Sequence, residues 1–191
     1  MITQRFNPNR DWFSSKMNPQ FIGICHLIHD ICKKFDDEES VYKMIEIGAY
    51  MGESTFLFGC SGLFDEIHTI DPHHGEEEFN ELFGYDWDLI KKEYEINTRN
   101  FPNIIQWSEF SYELNHKFAD NDFDFIYIDG DHSYEGVSRD LDLFLPKIKK
   151  GGIVAGHDYT NNWEGVRRAV DEAFGSPSKT YADGSWLVNY E

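Results

Sequence analysis

The apolar positions of this chain change period several times, and each change marks an element. From Pro19 to Phe35 the residues Phe21, Ile22, Ile24, Cys25, Ile28, Ile31 and Cys32 recur at helical spacing, and the acidic run Asp36–Glu39 ends the pattern. Val41–Ile47 reads as a strand, followed by a glycine-containing turn and an apolar helix, Thr55–Cys60, with Ser54 placed to cap it. Glu66–Ile70 is a second strand. A polar and aromatic stretch, His73–Trp87, leads into a helix over Asp88–Asn100, and Asn103–Trp107 is a third strand with a short helix, Tyr112–Phe118, behind it. Phe123–Ile128 is apolar without a break apart from Asp124, as a strand buried on both faces should be. A helix over Tyr134–Leu145 stops before Pro146, Gly151-Gly152 turns into a fifth strand, Ile153–Gly156, and Glu164–Phe174 is helical again. The tail, Lys179–Asp183 and Ser185–Tyr190, reads as two strands joined through an Asp183-Gly184 turn.

Strand alternating with helix predicts an α/β fold: a Rossmann-like, doubly wound and mostly parallel sheet of about seven strands, with an antiparallel C-terminal hairpin strand. With no repeat and no Pro/Gly/Ser-rich linker, residues 1–191 are expected to form one domain, in which 1–40 are an N-terminal arm and helix and 41–191 the core. Such sheets bind ligands outside the carboxyl ends of their strands, where strand order reverses. The chemistry is therefore expected just after Ile47, Ile70, Trp107, Ile128 and Gly156.

Composition narrows the partners. A formal net charge of −18 repels phosphate backbones and anionic bilayers, so neither nucleic acid nor membrane is an expected partner. No stretch approaches the ~20 apolar residues that span a bilayer, and the opening MITQRFNPNRDWF lacks the layout of a signal peptide, so a cytoplasmic protein is expected. Three cysteines, Cys25, Cys32 and Cys60, show no CxxC pairing and read as buried structural thiols rather than a disulfide framework or zinc site. Nothing in the sequence argues against a homo-oligomer.

Each strand end carries polar residues. After the first come Glu46-Ile47-Gly48-Ala49-Tyr50-Met51-Gly52, where Gly48 can take the angles of a tight turn and Gly52 lets a helix approach closely. Asp71, after the second, has the spacing from that turn of an acid that hydrogen-bonds ribose hydroxyls. The third ends in Ser108-Glu109-Phe110-Ser111, which offers small polar groups beside an aromatic ring, or simply caps the next helix. The fourth empties into Asp129-Gly130-Asp131-His132, a cluster that stability alone does not explain because unpaired charge near a core is costly. The fifth ends in Gly156-His157-Asp158-Tyr159.

In this order the segments Glu46–Gly52, Thr69–Pro72, Phe123–Val137 and Gly151–Tyr159 resemble the class I S-adenosylmethionine-dependent methyltransferases, most closely the small-molecule O-methyltransferases that act on sugars and catechols. The resemblance spans residues 41–190 and implies an enzyme that uses S-adenosyl-L-methionine. Carried over, Glu46, Gly48, Tyr50 and Gly52 shape the cofactor loop, Asp71 holds the ribose, and Ser108 and Ser111 flank the adenine. Asp129 stands near the methyl donor, where the family often has a metal ligand, and Asp158 takes the matching place after the fifth strand. Two positions depart from the pattern. Tyr50 replaces the middle glycine of the loop, and Tyr159 stands where metal-dependent relatives carry Asp or Asn.

The implied reaction is O-methylation of a small hydroxylated acceptor, a sugar by family analogy. The acceptor proton leaves either with help from Mg2+ or another divalent cation on Asp129 and Asp158, or to a histidine base, His157 or His132. Two alternatives stay open: a nicotinamide-dependent oxidoreductase, which would want G-x-G-x-x-G where the chain has Gly48-x-x-x-Gly52, and a catalytically inactive binding module on the same fold.

Overall fold

A computed structural model describes residues 19–37, 39–74 and 86–191. Seven strands, β1 (Lys43–Ile47), β2 (Glu66–Ile70), β3 (Ile104–Trp107), β4 (Phe123–Ile128), β5 (Ile148–Gly156), β6 (Lys179–Thr180) and β7 (Trp186–Asn189), form one sheet in the order β3-β2-β1-β4-β5-β7-β6. The pairs β3-β2, β2-β1, β1-β4 and β4-β5 are parallel, whereas β7 runs antiparallel to both β5 and β6. The helices are α1 (Pro19–Lys34), α2 (Glu53–Ser61), α3 (Trp87–Thr98), α4 (Ser111–Leu114), α5 (Tyr134–Phe144) and α6 (Glu164–Phe174).

Alternation along the central strands sorts their side chains onto two buried faces. Met44, Ile67, Phe125, Tyr127, Ile153 and Ala155 pack with Ile24, Leu27 and Ile31 of α1 and Phe56 and Phe58 of α2. Ile45, Ile47, Ile126, Ile128 and Val154 face the other way, onto Leu114 of α4, Val137 and Leu141 of α5, and Val166 and Val170 of α6. All six residues of β4 are buried, and Asp124 within it is held by the Lys43 amide and the Lys149 ammonium, each at 2.9 Å. The sheet grows outward from β1 through β2 to β3, then restarts with β4 on the other flank of β1. Strand order thus reverses between β1 and β4.

Several local expectations need correction. Ser54 does not cap α2: Gly52 occupies that position, and the Ser54 hydroxyl turns inward to Glu46. Gly151-Gly152 does not precede β5 but lies within it, because the Gly151 amide donates to the Tyr190 carbonyl and the Tyr190 amide returns to that of Gly152. The three cysteines are free thiols, but none is buried; Cys25 and Cys32 are half-buried and Cys60 is exposed. Of the stretch His73–Trp87, residues 75–85 lie outside the described residues. No helix among the described residues is long and apolar enough to cross a membrane.

Candidate active site

The loops leaving β1 and β4 touch. Gly48 has φ +86°, and a Cβ there would lie 2.1 Å from the Asp129 carbonyl oxygen, so only glycine lets the two loops meet. The Gly48 amide donates to the Ile70 carbonyl at 2.9 Å and the Asp129 amide to that of Ile47 at 2.8 Å, which carries the ladder one step past the strand ends.

Asp71 turns back onto this turn. Its Oδ2 accepts from the Tyr50 amide at 2.6 Å and its Oδ1 from the His73 amide at 2.7 Å. His73 is only 5% exposed, and its ring nitrogens lie 3.0 Å from the Asp71 carbonyl oxygen and 2.9 Å from that of Tyr50. His73 thus stitches the β1 and β2 loops together. Beneath the turn, Glu46 is fully buried, with the Ser54 hydroxyl donating at 2.5 Å and that of Thr55 donating as well. Burial pushes its carboxyl up to about 7, and the charges of Asp129 and Asp71 push the same way. Glu46 thus ties the end of β1 to the first turn of α2. Gly52, at φ +73°, sits against the Tyr94 ring, which an added Cβ would approach to 2.9 Å.

Across the reversal point, three donors converge. His132 Nε2 lies 2.7 Å from Asp158 Oδ2 and 3.4 Å from Asp129 Oδ1, and one donor atom from each of the three residues lies within 4.8 Å of the others. Asp131, between them in sequence, is spent on the chain turn, where its Oδ1 accepts from the Ser133 amide at 2.9 Å. Burial opposes charge on His132, yet the two carboxylates outweigh it and raise the imidazole to about 10. The same balance holds Asp158 well below the usual carboxylate range despite its burial. The Trp163 ring stacks on that of His132, with centroids 4.6 Å apart. His157 is placed differently. It is 6% exposed and lies behind Asp158, with Nδ1 3.3 Å from Asp158 Oδ1 and Nε2 3.8 Å from Asp183 Oδ2. Tyr159 points away, donating to Asp171 of α6 at 2.6 Å.

On the β3 side Ser108 is exposed, while Ser111 is buried and donates to Asp140 Oδ1 at 2.5 Å. Sequence reasoning missed Asp140, His73 as a buried tie, Trp163 and Asp183. A signal existed for Asp140: it falls on the apolar stripe of α5 beside Val137, Leu141 and Phe144. Four non-glycine residues among the described ones have left-handed φ, namely Tyr50, His73, Asn121 and Asp158. Three of these stand at strand ends around the crevice, where such strain commonly marks a working site.

Known proteins resemble this chain in sequence or in fold. The chain is 28% identical over 140 residues to the uncharacterized protein R132 of Acanthamoeba polyphaga mimivirus, a match covering 70% of this chain and 58% of that relative, so well under two thirds of its length. Among solved structures, the O-methyltransferase NovP superposes with a TM-score of 0.66 at 18% identity, over 86% of this chain and 78% of that one. CalS11, a TDP-rhamnose 3'-O-methyltransferase of calicheamicin biosynthesis, gives 0.61 at 15% identity, over 91% and 81%. At these identities the two structures speak for the fold alone. Residues 45–159 match the methyltransferase domain family itself, from within β1 to just past β5. Matched over more than half its length and carrying the strand order that builds this crevice, the chain belongs to the methyltransferase domain family.

Proposed function

We propose that the chain binds S-adenosylmethionine between the β1 and β4 loops and transfers its methyl group to a hydroxyl of a small acceptor, a sugar. The observation that carries this reading is the convergence of Asp71 on the Gly48 turn through the Tyr50 amide. An acid fixed at the end of β2 beside a glycine turn is the arrangement that holds a ribose in nucleotide-binding sheets. The sugar acceptor rests on CalS11, whose described substrate is a nucleotide sugar. Methyl transfer from a sulfonium is an in-line displacement, so the residues chiefly align the acceptor oxygen with methyl and sulfur.

Asp129, His132 and Asp158 suit a divalent cation such as Mg2+, because two hard carboxylates and an imidazole from two loops face one another at ligand spacing. His132 would then supply the third donor that Tyr159, turned toward Asp171, does not. When bound, such a cation lowers the pKa of a hydroxyl it contacts. His157, buried behind Asp158, orients that carboxylate rather than meeting the acceptor. The spacing Gly48-x-x-x-Gly52 speaks against a nicotinamide site, as it does not match the dinucleotide pattern.

Calorimetric titration with S-adenosylmethionine, S-adenosylhomocysteine and NAD separates the readings. Saturable binding of the first two is expected, and heat with NAD alone would overturn the assignment. Transfer of labelled methyl to a panel of nucleotide sugars, with and without chelator, then distinguishes an enzyme from an inactive module.

A further inference from the structure

The antiparallel register of β5 and β7 sets Gly156 against Trp186, so the Asp183-Gly184 turn before β7 lies beside the loop that follows β5. Turn residues usually face water, yet the Asp183 side chain is only 1% exposed. Room for it comes from α1, where a Cβ on Gly23 would stand 2.1 Å from the Asp183 carboxyl. One use of this carboxylate is local: the Ser185 amide donates to Oδ1 at 3.0 Å and the Ser185 hydroxyl to Oδ2 at 2.8 Å. An exposed aspartate would make those two bonds equally well. Burial adds a second contact. Asp183 Oδ2 faces His157 Nε2 at 3.8 Å, an electrostatic approach longer than a hydrogen bond, and the other ring nitrogen, Nδ1, stands 3.3 Å from Asp158 Oδ1.

The same turn grips the loop on the far side of Asp158. The Gly184 carbonyl accepts from the Tyr159 amide at 2.9 Å, and Gly184, at φ +93°, passes so close that a Cβ would meet Thr160 Cγ2 at 2.7 Å. Asp158 itself has φ +61°, a left-handed angle that a residue other than glycine keeps where its surroundings impose it. His157 before it and Tyr159 after it both meet the turn, and Asp158 is the residue between them. We propose that Asp183 is a positioning residue for the candidate cation site: through the His157 ring it fixes the Asp158 carboxylate where it faces Asp129 and His132. Asp183 acts on Asp158 only through that ring. The inference rests on the cation reading of Asp129, His132 and Asp158 given above.

The test is a double-mutant cycle on the full chain, read as Mn2+ affinity from the free-ion paramagnetic resonance signal. Groups behind a metal ligand tune its orientation, so Asp183→Asn and His157→Gln are each expected to weaken Mn2+ binding about fivefold. Because the two act in series, the double variant should also lose about fivefold, where independent effects would multiply to about 25-fold. S-adenosylhomocysteine affinity is expected to stay close to wild type in all three. Gly23→Ala crowds the same carboxylate from α1 without altering any charge. It should weaken Mn2+ binding in the same direction, and it carries the cycle if Asp183→Asn does not fold. A multiplied loss in the double variant overturns the inference, because a bare charge effect needs no imidazole. Unchanged Mn2+ affinity in folded Asp183→Asn, with only a lower melting temperature, or a parallel loss of S-adenosylhomocysteine binding, overturns it as well: Asp183 would then serve the hairpin alone. A wild type that binds no Mn2+ overturns the cation reading, and this inference with it.

Discussion

Asp71 and Asp158 both follow a strand and both lie at the crevice, yet their charges are met in different ways. The β1–β2 half satisfies Asp71 with backbone amides, those of Tyr50 and His73. The β4–β5 half satisfies Asp158 with imidazoles, His132 at 2.7 Å and His157 at 3.3 Å. Backbone donors cannot be titrated away or exchanged for another partner, so the first half is built as shape. Side-chain donors can do both, and the second half is where a cation or a substrate group can compete for the carboxylates. On the function proposed above, cofactor holding falls mainly to the first half and acceptor chemistry to the second.

The sharpest way to break this comparison is at the glycine that joins the halves. Gly48→Ala places a Cβ 2.1 Å from a backbone oxygen at φ +86°, so a loss of roughly 4 kcal/mol or more is expected in thermal melts. Gly52→Ala meets the Tyr94 ring at 2.9 Å, which can give way, and should cost about 1–3 kcal/mol. Equal melting of the two variants would mean that the halves are not locked together at Gly48.

Glu46 is the titratable group beneath the otherwise backbone-built half. Its folded value of about 7, against 4.5 ordinarily, means that the native state keeps a proton which the unfolded chain has released in that interval. Stability from this group is therefore fully present below about pH 4.5 and falls by roughly 3 kcal/mol as pH rises to 7. Glu46→Gln should remove that slope, gaining on the wild type between pH 5 and pH 8 in urea denaturation. A constant difference between the two proteins would contradict it.

The smallest effect is expected on the other side. His132→Ala should weaken Mn2+ binding, read from the free-ion paramagnetic resonance signal, by about tenfold, while S-adenosylhomocysteine affinity stays within twofold of wild type. Tighter Mn2+ binding in the variant would show that the imidazole stands in for the cation instead of helping to hold it.

Much of this architecture was legible in the chain. Periodicity located the strands, because a parallel sheet buried on both faces leaves runs such as Phe123–Ile128 that few other elements produce. The spacing of Asp71 from Gly48 anticipated a convergence that the Tyr50 amide makes explicit. What stayed hidden depends on partners distant in sequence. Local pattern cannot say that Ser54 meets Glu46 instead of its own helix end, or that Ser111 meets Asp140. Nor could it separate His132 at the mouth from His157 behind it, since both simply neighbour an acid in sequence. The cysteines were misjudged for a related reason: they lie on helices whose covered face is taken by Ile24, Leu27 and Phe56.

The proposed cofactor site requires Asp71 and the Gly48 turn to share one adenosyl ligand. Its most direct test is the dissociation constant of S-adenosylhomocysteine for the wild type and for Asp71→Ala, with Asp71→Asn as a shape-keeping control and melting temperatures confirming folded protein. Saturable binding to the wild type that weakens by more than tenfold in Asp71→Ala is the expected result. Equal affinity in the two folded proteins, or no binding to the wild type, would contradict it.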